Sequence, residues 1–421
     1  MIEKYYKKPA TWDRIRASWL FEQIEHYIVW LNEQGYAFCN VNRRVPILLC
    51  FAAFAWERGA RSVRGLPRHV QPFIDRYLRD RRNHITGKRT KTQIAREAGV
   101  PVEQMLRLAL PGFMGRGDRR RPFPFQDEAP GFLRHLREER GVTPKTVESY
   151  SIILRSCESY LLRIGLTSIA DLSPSILTAF VTERGLVLGK ASIAELCSLL
   201  RVFLRYAYRE KLIARDLSAA VHGPRNYRLA TLPRSIPWAD VQRMLDAVDR
   251  RSACGKRDYA ILLLLVTYGL RSREVAGLTL DDLDWPQERL RVPERKAGHS
   301  TAYPLSPIVG EAIVDYLKNV RPQTKDRSLF FRAVAPFHPC GAACVSNRAS
   351  HYLSKAGIAV PRPGSHTLRH ACVQRLVDAK FSLKTIGDYV GHASPNSTQI
   401  YAKVDVESLR ELALGQGEAV L

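Results

Sequence analysis

Apolar residues return at helical spacing through most of this 421-residue chain, and only around Gly298 does the pattern turn to strands. There Arg289–Val292 and Thr301–Leu305 flank a short turn and read as a β-hairpin. A chain patterned this way is restricted to a mainly α architecture with a small β-sheet. Helix starts are marked by a capping residue followed by proline, at Thr143-Pro144, Ser173-Pro174, Ser306-Pro307 and Ser394-Pro395. Proline suits a first helical turn because the N–H groups there have no intrahelical partner to lose. Behind Thr143, residues Val147, Ile153, Leu154, Cys157 and Leu161 line one helix, and behind Ser173 come Ile176, Leu177 and Phe180. A third helix carries Leu196, Leu199, Leu200, Phe203 and Tyr206, so residues 125–221 form a small all-α bundle.

Residues 222–236 are basic, contain proline and lack apolar periodicity, as expected of a linker. Beyond it, Trp238-Ala239-Asp240 opens an amphipathic helix with Val241, Met244, Leu245 and Val248, followed by an apolar helix around Ile261–Val266. These begin a mixed α+β domain over 237–414, with 415–421 as a tail.

The first 121 residues form a basic helical region that echoes the bundle. Set against it at an offset of 106, Gly35 falls on Gly141, Val41 on Val147, Leu48 on Leu154, Gly59 on Gly165, Leu66 on Leu172 and Val70 on Ile176. This is either a degenerate repeat of one unit or the common spacing of two amphipathic hairpins. Within 92–108, Gln93–Pro101 followed by Met105 and Leu108 is patterned as a helix-turn-helix, or as two short helices joined at Gly99-Val100. Residues 1–125 hold 24 Lys and Arg against 11 Asp and Glu. Such one-sided charge favours phosphate contact, and Arg79, Arg81, Arg82, Lys88, Arg89, Lys91, Arg119, Arg120 and Arg121 are the candidates.

Over the whole chain, 65 Lys and Arg against 41 Asp and Glu leave a formal charge of +24, and a polyanion is the natural partner. The 45% of hydrophobic residues supports packed cores rather than a disordered basic tail. The apolar run Tyr259–Leu270 is shorter than the roughly 18–20 residues of a membrane span, and the N-terminus lacks a secretory pattern. No membrane insertion and a cytoplasmic location are expected. The scattered eight cysteines read as reduced core thiols. His338, Cys340 and Cys344 lie close in sequence without a second pair at zinc-site spacing, so no metal is expected.

The chemistry is carried by Tyr268-Gly269-Leu270-Arg271, His366-Thr367-Leu368-Arg369-His370, Gly391-His392 and Tyr401. A phosphodiester under attack gathers charge on its non-bridging oxygens, and fork-shaped guanidiniums such as those of Arg271 and Arg369 bind those oxygens bidentately. Glu274, one turn beyond Arg271, either orients that guanidinium or is an ordinary surface pair. His366 and Arg369, three residues apart, share one helix face. Tyr401, nine residues after His392, is the candidate nucleophile.

With Lys296 on the hairpin, these segments occur in an order and approximate spacing that resemble the tyrosine recombinases, or phage integrase family, over about residues 125–403. The resemblance implies a helical SAM-like core-binding domain (125–221) and a catalytic domain (237–414) closing on duplex DNA. It implies a 3′-phosphotyrosyl intermediate on Tyr401, with His366 as proton acceptor, His392 bonded to a phosphate oxygen and Lys296 protonating the leaving 5′-oxygen. Arg295 stands where the family has a small residue, which leaves the hairpin register open by one. No metal, ATP or other cofactor is implied. Partners implied are double-stranded DNA, further copies of the chain as a tetramer on DNA, and companion recombinases or directionality factors. A transposon, phage or plasmid integrase fits this picture. Type IB topoisomerase-like or resolvase activity, or a catalytically silent DNA-binding regulator, are the alternatives.

Overall fold

The computed structural model describes residues 2–81, 90–115, 122–225, 235–293 and 300–391. They divide into two compact units, one from the segments Met1–Gly115 and Thr231–Leu421, the other from Arg116–Ala230.

The first segment folds as α1 (Pro9–Arg16), α2 (Phe21–Glu33), α3 (Phe38–Glu57), α4 (Val70–Asp80) and α5 (Lys91–Ala109) around its own core. Among the described helices, α3 alone is long and apolar enough to cross a membrane. One face of it packs into the core, with Val41, Leu48, Phe51 and Ala55 buried among the other helices. The helix-turn-helix expected over 92–108 is not formed: α5 runs unbroken through Gly99 and Pro101. A proline inside a helix costs about 3 kcal/mol. Burial of Ile94, Val102, Met105 and Leu106 on one face contributes roughly 1.5–3 kcal/mol each and outweighs it. Thr90 starts the helix in a capping box, accepting from the Gln93 N–H at 3.2 Å while Gln93 Oε1 accepts from the Thr90 N–H at 2.9 Å.

The second unit is built from α6 (Phe132–Arg134, continued as a π-turn His135–Glu139), α7 (Pro144–Arg163), α8 (Pro174–Gly185) and α9 (Lys190–Arg209). Thr143 and Ser173 cap α7 and α8 through their hydroxyls, which accept from the N–H groups of Thr146 and Ile176. Phe132, Leu154, Phe180, Leu200 and Phe203 form its centre.

The C-terminal segment begins with α10 (Trp238–Asp246) and the almost wholly buried α11 (Ala253–Thr267), followed by the short α12 (Ser272–Gly277). A three-stranded antiparallel sheet follows, β1 (Leu283–Asp284), β2 (Arg289–Val292) and β3 (Thr301–Pro304), with Leu283 opposite Leu290 and Leu290 opposite Tyr303. The expected hairpin is therefore joined by an additional two-residue strand. Then come α13 (Pro307–Asn319), α14 (Ala342–Lys355), α15 (Ser365–Asp378) and α16 (Leu383–Val390). The helix expected at Ser394-Pro395, most of the linker, the hairpin turn and the C-terminal tail lie outside the described residues. Not every cysteine is a core thiol, since Cys39, Cys50 and Cys254 are exposed.

Candidate active site

Four of the residues singled out in the sequence converge where α11, α12, α15 and the end of α16 meet. The chain leaves α11 through Gly269, whose left-handed backbone (φ +58°) turns Arg271 toward α15 and α16. Any larger residue there is crowded, because a Cβ atom would lie 3.0 Å from Val390 Cγ1 and 3.2 Å from Cys372 Sγ. Arg271 then caps α12, its N–H donating to Glu274 Oε2 at 2.8 Å.

The guanidinium of Arg271 is fixed on two sides. It donates to Glu274 Oε1 at 2.8 Å and to the carbonyl of Gly391 at 3.0 Å. The Glu274 side chain is fully buried, whereas that of Arg271 keeps 18% of its surface exposed. Burial makes this carboxylate dependent on its cationic partner, and the partner in turn keeps a face open. Two of its five N–H donors are used in these bonds, leaving others for an anion.

Arg369, buried on α15, crosses back to donate to the carbonyls of Gly269 and, at 2.7 Å, of Val390. Both guanidiniums thus rest on the C-terminal carbonyls of α16, the negative end of its dipole. Gly391 closes that helix in the left-handed conformation (φ 65°, ψ 58°), as a helix-ending glycine commonly does. A phosphate entering here would meet cations held in place before it arrives.

His366 stands one turn before Arg369 at the start of α15, with one side open to solvent. Burial of its other side, then the charges of Arg369 and Arg271, hold its pKa below the ordinary 6.5. All three favour neutral imidazole, the form able to accept a proton.

A layer of tyrosines ties the sheet to this corner. Tyr268 donates to the Pro304 carbonyl at 3.0 Å and accepts from the Ser306 N–H at 2.9 Å. Tyr303 donates to the Tyr389 carbonyl, and Tyr389 to the Thr267 carbonyl at 2.9 Å. β3 is thereby bonded to the ends of α11 and α16, next to the carbonyls that accept from the two arginines. Beside Gly269, Cys372 is packing rather than chemistry, for burial pushes its thiol up to about 12.

Residues 234–408 match the phage integrase family, and residues 130–211 match the phage integrase N-terminal SAM-like domain. A putative integrase/recombinase of Sinorhizobium fredii, y4rA, is 33% identical over 401 residues, covering 91% of each chain. The chain belongs to the phage integrase family. This tyrosine recombinase is also 29% identical to tyrosine recombinase XerC of Pelotomaculum thermopropionicum, over 67% of its length and 94% of the relative's. In fold it resembles a lambda integrase dimer bound to a COC' core site, at a TM-score of 0.52 and 19% identity over 66% of this chain and 94% of that one. XerH recombinase in a post-cleavage complex with a palindromic difH substrate gives a TM-score of 0.53 at 18% identity, over 81% and 94%. The recombinase is accordingly an enzyme of site-specific DNA recombination.

Arg271, Glu274, His366 and Arg369 are brought together, while Lys296, His392 and Tyr401 lie outside the described residues. Among the basic candidates upstream, Arg79 and Lys91 are exposed. Arg81 is engaged within the protein, 3.7 Å from Glu97 and 4.3 Å above the Tyr77 ring. Arg82, Lys88, Arg89, Arg119, Arg120 and Arg121 are outside the described residues. The backbone carbonyls that hold the two guanidiniums leave no side-chain pattern in the sequence. The glycines at 269 and 391 were their only local signal.

Proposed function

We propose that the recombinase breaks a DNA strand by in-line attack of the Tyr401 hydroxyl on a phosphodiester held by Arg271 and Arg369. The bond from the tyrosyl oxygen to phosphorus forms as the bond to the 5′-oxygen breaks, leaving a 3′-phosphotyrosyl enzyme. His366 takes the phenolic proton, Lys296 supplies one to the departing 5′-oxygen, and His392 bonds a non-bridging oxygen. A phenol with an ordinary pKa near 10 needs such an acceptor at neutral pH. The ester retains the bond energy, so a second 5′-hydroxyl can reverse the step without ATP or metal. The observation that carries this reading is the pair of guanidiniums fixed on the same helix end beside a neutral histidine.

Double-stranded DNA is the substrate, and exchange between two duplexes calls for four copies of the chain acting as a tetramer on DNA. Companion recombinases or directionality factors set the direction, in the bacterial cytoplasm, on behalf of a transposon, phage or plasmid. The test uses a nicked duplex carrying the DNA that flanks the gene, in EDTA and without nucleotide. A covalent protein–DNA adduct that is lost in Tyr401→Phe is expected. Cleavage only with added magnesium, or an adduct persisting in Tyr401→Phe, defeats the mechanism.

A further inference from the structure

The N-terminal helices and the core-binding unit share more than apolar spacing. Helix α3 spans Phe38–Glu57 and α7 spans Pro144–Arg163, so both ends differ by 106 in number. Each helix is preceded by a left-handed glycine, Gly35 (φ +72°) or Gly141 (φ +58°), and followed by another, Gly59 or Gly165, both at φ +81°. After the second glycine, the Ala60 N–H returns to the Ala55 carbonyl and the Leu166 N–H to the Leu161 carbonyl, each at 2.9 Å. Along the helices, the buried Val41, Leu48, Phe51 and Ala55 stand where Val147, Leu154, Cys157 and Leu161 are buried.

Their surfaces differ. Between α3 and α5 lies a cleft of about 470 Å³ bordered by Arg43, Arg44 and Arg96. Arg44 is half-buried and donates to Tyr27 Oη at 2.9 Å and Gln104 Oε1 at 2.6 Å, with its guanidinium 4.6 Å from the Tyr36 ring. Among the described residues it has no carboxylate partner, and a partly desolvated cation whose hydrogen-bond partners are all neutral favours an incoming anion. Arg43 and Arg96 are exposed at the rim. Glu97, also at the rim, is 3.7 Å from Arg81. In the second unit Ser149 and Tyr150 occupy the positions of Arg43 and Arg44. Aligning the α5 and α9 starts at Lys91 and Lys190, which also sets Ile94 on Ile193, puts Glu195 at the position of Arg96.

We propose that the N-terminal unit is a duplicate of the core-binding unit whose α3–α5 cleft has become a separate grip on the phosphate backbone of duplex DNA. This rests on the recombinase reading only in taking duplex DNA as the anion. The guanidiniums at the rim supply charge and bidentate geometry, and the pinned Arg44 supplies a fixed point between them.

The test measures binding of the full chain to a random-sequence duplex of about 40 base pairs across a salt series, where each phosphate contact contributes about 0.9 to the log–log slope. Arg43→Gln with Arg96→Gln should lower the slope by about 1.8, and Arg96→Gln alone by about 0.9. Arg16→Gln with Arg76→Gln removes the same charge from arginines already paired with Glu3 and Glu57. That control should leave the slope near wild type. A wild-type slope in the rim variants, or an equal fall in the control, overturns the proposal. Adduct formation at saturating protein should survive the rim substitutions. If wild type forms no adduct while the rim variants still lose slope, it is the cleavage mechanism that fails and the grip that stands.

Discussion

The recombinase holds arginines in two ways. At the candidate active site, Arg271 and Arg369 are pinned by Glu274 and by the carbonyls of Gly269, Val390 and Gly391. In the N-terminal cleft, Arg43 and Arg96 are exposed at the rim, Arg43 with only a long 3.4 Å bond to Asn40 Oδ1, while Arg44 is held by Tyr27 and Gln104. Charge stabilisation in a transition state requires donors already in place, because reorganising them during the reaction would add to the barrier. Affinity for a polyanion requires only charge close to phosphate and tolerates loose side chains. Pinned cations should therefore govern rate, and loose ones affinity and its dependence on salt.

The largest effect that would break this contrast is on cleavage. Arg271→Ala and Arg369→Ala should each lower the single-turnover rate of adduct formation by about 10²- to 10³-fold, the usual cost of losing one preorganised donor. Binding to random duplex should change little. If either arginine variant instead loses affinity with its rate intact, pinning is not what distinguishes the two sites. Arg369→Ala should also unfold more readily, since it strips two carbonyl partners from the interior.

Glu274→Gln follows in size. The amide keeps the shape but removes the buried negative charge against which Arg271 is held. Rate should fall less than in Arg271→Ala, with urea unfolding showing the loss of an ion pair. An unchanged rate would make Glu274 structural only.

Much of this corner was legible in the sequence and some of it was not. The His366–Arg369 spacing places both on one helix face, and in the second unit Thr143-Pro144 and Ser173-Pro174 mark the starts of α7 and α8. These signals are local. Strand β1 has only two residues and exists through pairing with β2, so no pattern of its own marks it. Gly99 and Pro101 looked like a turn because local propensity opposes a helix, and tertiary burial of α5 overrode it. Arg44 meets Gln104 across 60 residues of chain, a contact that only the folded unit reveals.

Gly269→Ala tests how the pinning is built rather than whether it matters. A Cβ at φ +58° strains the backbone and presses on Val390 and Cys372. A left-handed non-glycine costs about 1–3 kcal/mol, which should appear as a lower urea midpoint at unchanged m-value. Rate should fall with it if Arg271 moves. A stable, fully active Gly269→Ala would show that the corner adapts, and that the arginines are less rigidly held than their bonds imply.

The smallest effect belongs to His366, which keeps one side in solvent. Its folded pKa lies below 6.5 owing to burial, then Arg369, then Arg271. The unfolded chain therefore binds this proton more readily than the folded one, and stability rises with pH in the interval between the two pKa values. The stabilising contribution is present above pH 6.5 and is lost as pH falls from there through the folded pKa. His366→Gln should remove that part of the pH dependence of unfolding. The same depression keeps the imidazole neutral to lower pH, so the acid limb of the cleavage rate should fall below pH 6.5. In Arg271→Lys, which keeps the charge near His366 but loses the fork, that limb should stay in place while the rate drops. A limb that shifts upward instead would mean that the fixed position of the Arg271 charge, and not its mere presence, holds the histidine neutral.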